Sequence, residues 1–208
     1  RICPDCAHRQ TSRLLARYIP VLMDIEASGP DFYSVKHITL TTPVSLDDPD
    51  CKDQIRTIMK AIPGVFDTVA GKDWRSDSGL LYAFEFGEEG RKLHFHCIWD
   101  GCFIPQSELS AAWHDATNGL ASVVWIEQIH HDPEKGRTLE SAVAEVAKYA
   151  TKLSKKDEHG RLKYMDASIV VKLFVILKGL RRVRSYGLLY KIDEPEHKRH
   201  VCPVCGCP

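Results

Sequence analysis

A chain of 208 residues that is 44% hydrophobic can bury a good core and does not need disulfide staples. No apolar run is long enough to cross a bilayer, and Arg1-Ile2-Cys3 shows neither a signal peptide nor an initiator methionine; the expectation is a soluble cytoplasmic protein with no membrane partner. Net charge is zero, yet residues 1–147 hold 14 Lys and Arg against 22 Asp and Glu while residues 148–208 hold 14 against 6, so a local phosphate-binding surface stays open.

In chain order, Cys3-Pro4-Asp5-Cys6 comes first and Cys202-Pro203-Val204-Cys205 last. Two such knuckles make one four-thiolate zinc site, uniting residues 1–8 with 200–208, and His8 and Cys207 are spare ligands. A redox pair or a disulfide framework fits less well, because Cys51 opens a helix and Cys97 falls on a core strand face. Leu14, Leu15, Tyr18, Val21 and Leu22 predict a helix between Gln10 and Ala27, interrupted near Pro20. Tyr33 to Thr42 reads as a strand ended by Pro43. Ile55, Ile58, Met59 and Ile62 give a helix from Asp50, bounded by Pro63-Gly64. The Gly71–Gly79 stretch reads as a polar loop.

Leu80 to Phe86 and Leu93 to Trp99 both alternate, and the short link Gly87-Glu88-Glu89-Gly90 makes them an antiparallel hairpin. His94 and His96 point to one face, while Leu93, Phe95, Cys97 and Trp99 point to the other. Pairing Phe86 with Arg91 sets Ala83 opposite His94 and Glu85 diagonally beside it. Two imidazoles and a carboxylate with open positions suit a divalent ion that also holds substrate oxygens. His37, His114, His130, His131 and His159 are set aside, as residues of other elements with no partner on a shared face.

Pro105 to Thr117 reads as a helix with Leu109, Ala112, Trp113 and Ala116 buried, and Ala121 to His130 as a strand. A further helix opens at Thr138 as N-cap, with Leu139, Ala142, Val143, Val146, Ala150 and Leu153 as its apolar stripe. Glu145, Lys148, Tyr149 and Lys152 follow i, i+3, i+4, i+7 and form a second stripe at the edge of the packed one. A solvated loop, Ser154–Gly160, and a helix or strand near Ser168–Leu177 complete the order. Strand, helix, hairpin, helix, strand, helix is α+β with a mostly antiparallel sheet.

His94-Phe95-His96 followed by Lys148-Tyr149-Ala150-Thr151-Lys152 resembles the HUH endonucleases, specifically the rolling-circle plasmid replication initiator (Rep) proteins with a single active-site tyrosine. The basic segment Lys178 to Leu189 is similar to the one that follows the catalytic helix in such initiators, so the likeness spans about Val35 to Leu189. It implies one HUH domain over residues 1–208 with a four- to five-stranded sheet, the metal on its central strands, and helices packed on it. Tyr149 is then the nucleophile that forms a 5′-phosphotyrosine with single-stranded origin DNA presented in a hairpin, and Lys152 favours its phenolate.

On the same resemblance, Glu85, His94 and His96 hold Mg2+ or Mn2+, and Lys148, Arg181, Arg182, Arg184 and Tyr186 hold DNA. Glu145 acts as general base for a water that ends the round, or else pairs structurally with Lys148 or Lys152. A host helicase and replication proteins are the implied partners. An HUH transposase or relaxase is the nearer alternative, and a non-catalytic zinc-containing nucleic-acid-binding module the more distant one. A histidine-triad hydrolase would need a third alternating histidine where Ile98 stands.

Overall fold

The computed structural model describes residues 4–28, 34–87, 90–129, 138–149, 154–156, 162–164, 166–193 and 201–206. Among these residues seven strands and five α-helices follow in the order α1 (Pro4–Ser28), β1 (Ser34–Thr42), α2 (Cys51–Ala70), β2 (Gly79–Phe86), β3 (Leu93–Gly101), α3 (Gln106–Ala116), β4 (Val124–Gln128), α4 (Leu139–Tyr149), β5 (Ser154–Lys156), β6 (Leu162–Tyr164), α5 (Ala167–Leu177) and β7 (Val183–Gly187). Five strands form one sheet in the order β4-β1-β3-β2-β7 with every neighbour antiparallel, so the histidine strand β3 is central. This is the expected α+β architecture. No helix among the described residues is long and apolar enough to cross a membrane.

Alternation along the strands separates two cores. Ile38, Leu40, Leu80, Tyr82, Phe84, Phe95, Cys97 and Trp99 face α2 and α3 in the larger cluster. Val35, Leu81, Ala83 and Ile98 face the other way, against Tyr18 and Leu22 of α1 and Leu139, Val143 and Val146 of α4. Helix α4 starts where expected: the Ser141 amide donates to Thr138 Oγ1 at 3.1 Å, and the Thr138 amide donates to Ser141 Oγ at 3.0 Å. Its expected apolar positions Ala150 and Leu153 lie outside the described residues, as does the 130–137 stretch before it.

Both proline-based helix ends are corrected. Helix α1 runs through Pro20, where the residue and Ala16, whose carbonyl loses its amide donor, are both exposed, so solvent can serve that carbonyl. Helix α2 runs through Pro63 and Gly64 to bury Val65 and Phe66. Here the orphaned acceptor is the Met59 carbonyl, and the buried Tyr82 hydroxyl donates to it across the core at 3.3 Å. A tyrosine on the sheet therefore completes the hydrogen bonding of a proline-containing helix.

Other expectations change as well. The Gly71–Gly79 loop contains a 3-10 turn, Lys72–Ser76, that buries Trp74 and ties its indole N–H to Asp67 Oδ1 at 2.8 Å. Residues 154–156 are a strand paired with 162–164, and the basic segment contains an edge strand, β7, paired with β2. The hairpin register differs too: Phe86 pairs with Leu93, which sets Glu85 directly opposite His94 and Ala83 opposite His96. The reason is a longer connection, closed by the Gly87 amide donating to the Lys92 carbonyl at 2.9 Å. Gly90, at φ 74°, turns the chain beside Leu46, which a Cβ there would meet at 2.6 Å. A shift of two residues leaves every side chain on its expected face.

Replacing Tyr82 by Phe should lower stability by about 1–2 kcal/mol through the orphaned Met59 carbonyl. The cost should shrink in a Pro63→Ala background, where an amide returns to that carbonyl; equal urea-unfolding losses in both backgrounds would remove the explanation.

Candidate metal and nucleophile site

At one end of the face of β3 that carries His94 and His96, Ile98 packs against α1 and α4. At the other end Glu85 Oε1 stands 3.5 Å from His96 Nε2, with His96 buried and Glu85 half-buried. The pairing of β1 with β3 sets Thr39 against His96 and Thr41 against His94. Thr41 Oγ1 lies 3.0 Å from His94 Nδ1, and Thr39 Oγ1 lies 3.4 Å from His96 Nδ1. When each Nδ1 carries the proton and donates to its threonine, each Nε2 presents a lone pair, the form a metal ion needs.

The residues suit a divalent ion. Gly87 leaves room beside the second imidazole, since a Cβ there would lie 3.1 Å from His94 Nε2. Glu85 and His96 are already at a spacing that one ion can bridge, and His94 stands next to them with ring centroids 6.2 Å apart. Gathering all three donors requires a side-chain shift among them, because among the described residues the set of three metal-capable groups within 4.8 Å of one another is Cys6, Cys202 and Cys205.

His37 belongs to this site, contrary to the sequence expectation. It is diagonal to His96 across the β1–β3 pair and stacks on it, with centroids 5.6 Å apart and planes 14° from parallel. Burial, and then His96, push its pKa below the ordinary imidazole value, while Glu127 and Glu145 act against that shift. Its buried Nε2 meets no hydrogen-bond partner among the described residues. Thr39 and Thr41 were missed too; their signal is the two-residue spacing His37, Thr39, Thr41, which puts all three on one face once β1 is placed beside β3.

Helix α4 packs against β2 and β3 on the histidine face and brings Glu145 into electrostatic range of His37. Tyr149 is the last residue of α4, one turn beyond Glu145. The side chains of Lys148 and Tyr149, and the whole of Lys152, lie outside the described residues. The expected DNA-holding residues divide. Arg181 and Arg182 line an open groove of about 480 Å3 with Phe174 and Lys178. Arg184 and Tyr186 pair with Tyr82 and Leu80, which places them on the sheet face opposite the histidines, and Tyr186 stacks on Tyr82 at 6.2 Å. That stacking occupies part of the ring expected to be available to a base.

Near the termini, Cys6 and Cys205 bring their sulfurs to 3.4 Å, and Cys202 completes a three-thiol cluster able to hold a soft metal such as zinc. Backbone amides of Cys205 and Val204 hydrogen-bond the Cys202 sulfur and lower its pKa to about 6, which favours the thiolate. Cys3, Cys207 and residue 200 lie outside the described residues, and His8 is exposed on α1. Cys51 and Cys97 are buried away from the cluster, in the larger core.

No protein-family model matches the chain, and no curated protein and no solved structure matches it either.

Replacing Thr41 by Val, which keeps the shape and removes the hydroxyl, should weaken Mn2+ binding by about tenfold, and Ser should restore it. Imidazole 15N spectra of the metal-free protein should show the His94 tautomer becoming mixed in the Val variant only. Unchanged affinity and unchanged spectra would mean that the threonine does not position the ring.

Proposed function

We propose that the chain nicks and rejoins single-stranded DNA at a replication origin by the HUH mechanism, initiating rolling-circle replication. The observation that carries this reading is the convergence of three elements on one sheet face: His94 and His96 on β3, Glu85 on β2, and the helix bearing Glu145 and Tyr149 packed over that same face.

A phosphodiester resists attack because its anionic oxygens repel nucleophiles. Mg2+ or Mn2+ held by Glu85, His94 and His96 supplies charge neutralisation at the scissile phosphate when bound. The Tyr149 oxygen attacks phosphorus in line; a P–O bond to tyrosine forms, the P–O3′ bond breaks, and the proton lost by the phenol is balanced by the one the departing 3′-oxygen takes up from solvent to leave as a 3′-hydroxyl. An unperturbed phenol has a pKa near ~10, so a neighbouring cation is needed, a role for Lys152. Phosphorus stays esterified to the protein, and attack by a later 3′-hydroxyl restores the phosphodiester.

A single tyrosine already joined to DNA cannot open the next origin copy. Glu145 would then act as general base, taking a proton from the water that attacks there. The groove residues Arg181 and Arg182 would hold phosphates of the strand, and host helicase and replication proteins would extend the opened end. The cysteine cluster would hold structural zinc, with Cys3 as fourth thiolate.

With Mn2+ and origin-type single-stranded DNA the protein should give an SDS-resistant adduct mapping to Tyr149, absent from Tyr149→Phe; an adduct in that variant would refute the assignment. Glu145→Gln should retain the first cleavage and lose hydrolytic release at a second origin copy. Equal loss of both steps, or of neither, would make Glu145 a structural residue.

Zinc should copurify at about one per chain. Cys6→Ser should lower the melting temperature and zinc content while leaving adduct formation in the folded fraction, and His96→Ala should do the opposite. Zinc-free protein of full stability would end the structural-zinc reading.

A further inference from the structure

The four tryptophans of the chain divide sharply. Trp74, Trp99 and Trp113 are buried, and their indole N–H groups donate to Asp67 Oδ1, the Cys102 carbonyl and the Thr41 carbonyl at 2.8, 3.0 and 3.1 Å. Trp125 is 62% exposed. It lies on edge strand β4, outside both core clusters, so packing does not account for it.

Strand register places it. Trp125 pairs with Thr39, and Thr39 pairs with His96, so the three side chains form one row across the histidine face. Two strand spacings, about 10 Å, separate Trp125 from the metal-site histidine. Thr39 is the only residue between them in that row, and it presents a small hydroxyl side chain. Val123, two residues before Trp125 and 64% exposed, widens the apolar strip; its carbonyl accepts the Thr41 amide at 3.0 Å, beside the row of Thr41 and His94.

We propose that Trp125 is a base-stacking residue for the single-stranded DNA substrate, holding a nucleotide next to the scissile one while the phosphate lies at His94 and His96. This rests on the reaction proposed above. An indole face accepts any base, because every base has a π-face, and desolvating it against a base strengthens binding without requiring a charge. The neighbouring Glu127, opposite His37, makes that edge unattractive to a phosphate and so favours a base there over the backbone. Stacking at this distance orients the strand so that the phosphate presents to the site; Trp125 is therefore a substrate-binding residue that takes no part in bond making.

The test uses the full chain with its zinc retained and no Mg2+ or Mn2+ added, where binding is read without cleavage, with a fluorescein-labelled oligothymidylate as probe. Wild type should bind with quenching of tryptophan emission, since the other three indoles are buried. Trp125→Ala should bind at least about fivefold more weakly and lose the quenching. Trp125→Phe should recover most of the affinity without the indole signal. Melting temperatures should match wild type, as expected for an exposed side chain.

If wild type binds DNA and Trp125→Ala binds equally well, the stacking role is wrong while the DNA reading stands. If wild type binds no single-stranded DNA, the proposed function fails and this site with it. If sedimentation shows that Trp125→Ala converts a wild-type dimer to a monomer without altering DNA affinity, the strip is a protein interface and the proposal is overturned.

Discussion

The antiparallel pairing of β1 with β3 is the interaction on which both core and site depend. On one side it sets Ile38 and Leu40 into the larger core with Phe95 and Cys97. On the other it sets His37, Thr39 and Thr41 beside the two histidines. Trp113 reinforces the arrangement by donating its indole N–H to the Thr41 carbonyl, so a residue of the core helix α3 secures the strand that holds the His94 ring. Packing on one face thereby becomes side-chain position on the other, through a backbone too stiff to satisfy one and not the other.

How much of this was legible follows from the range of each interaction. The alternation of Leu93 to Trp99 is local, so the histidine face could be read directly, and Glu85 joined it despite a register that differs by two residues, because strand faces depend on parity. The N-cap at Thr138 and the buried positions Leu139, Val143 and Val146 were equally local. The proline rule failed at Pro63 because the compensating donor, Tyr82, lies on a strand that no local pattern links to Met59. Thr39 and Thr41 were hidden for the same reason: their partners are 57 and 53 residues away. His37 looked isolated until β1 was placed next to β3.

The charge distribution has a structural counterpart with a different layout from the one composition suggested. Among the described residues the arginines of the C-terminal part do not share one surface: Arg181 and Arg182 border the groove beside α5, whereas Arg184 sits on the core side of the sheet next to Tyr82. Composition records how many cations a segment has; strand parity decides which way each one points. The same rule puts Val183 and Ser185 on the histidine face, where Ser185 meets the Tyr18 hydroxyl at 3.2 Å.

The cysteine cluster joins positions 199 residues apart. An ion bridging them would enclose nearly the whole chain in a single loop, and loop-closure entropy grows only with the logarithm of loop length. The ion would thus act as a clasp on the first turn of α1, whose later turns cover the histidine face through Tyr18 and Leu22. Fraying of that helix and release of the C-terminal knuckle would become one event, so a chelator acting at the periphery would be felt in the layer that shields the sheet.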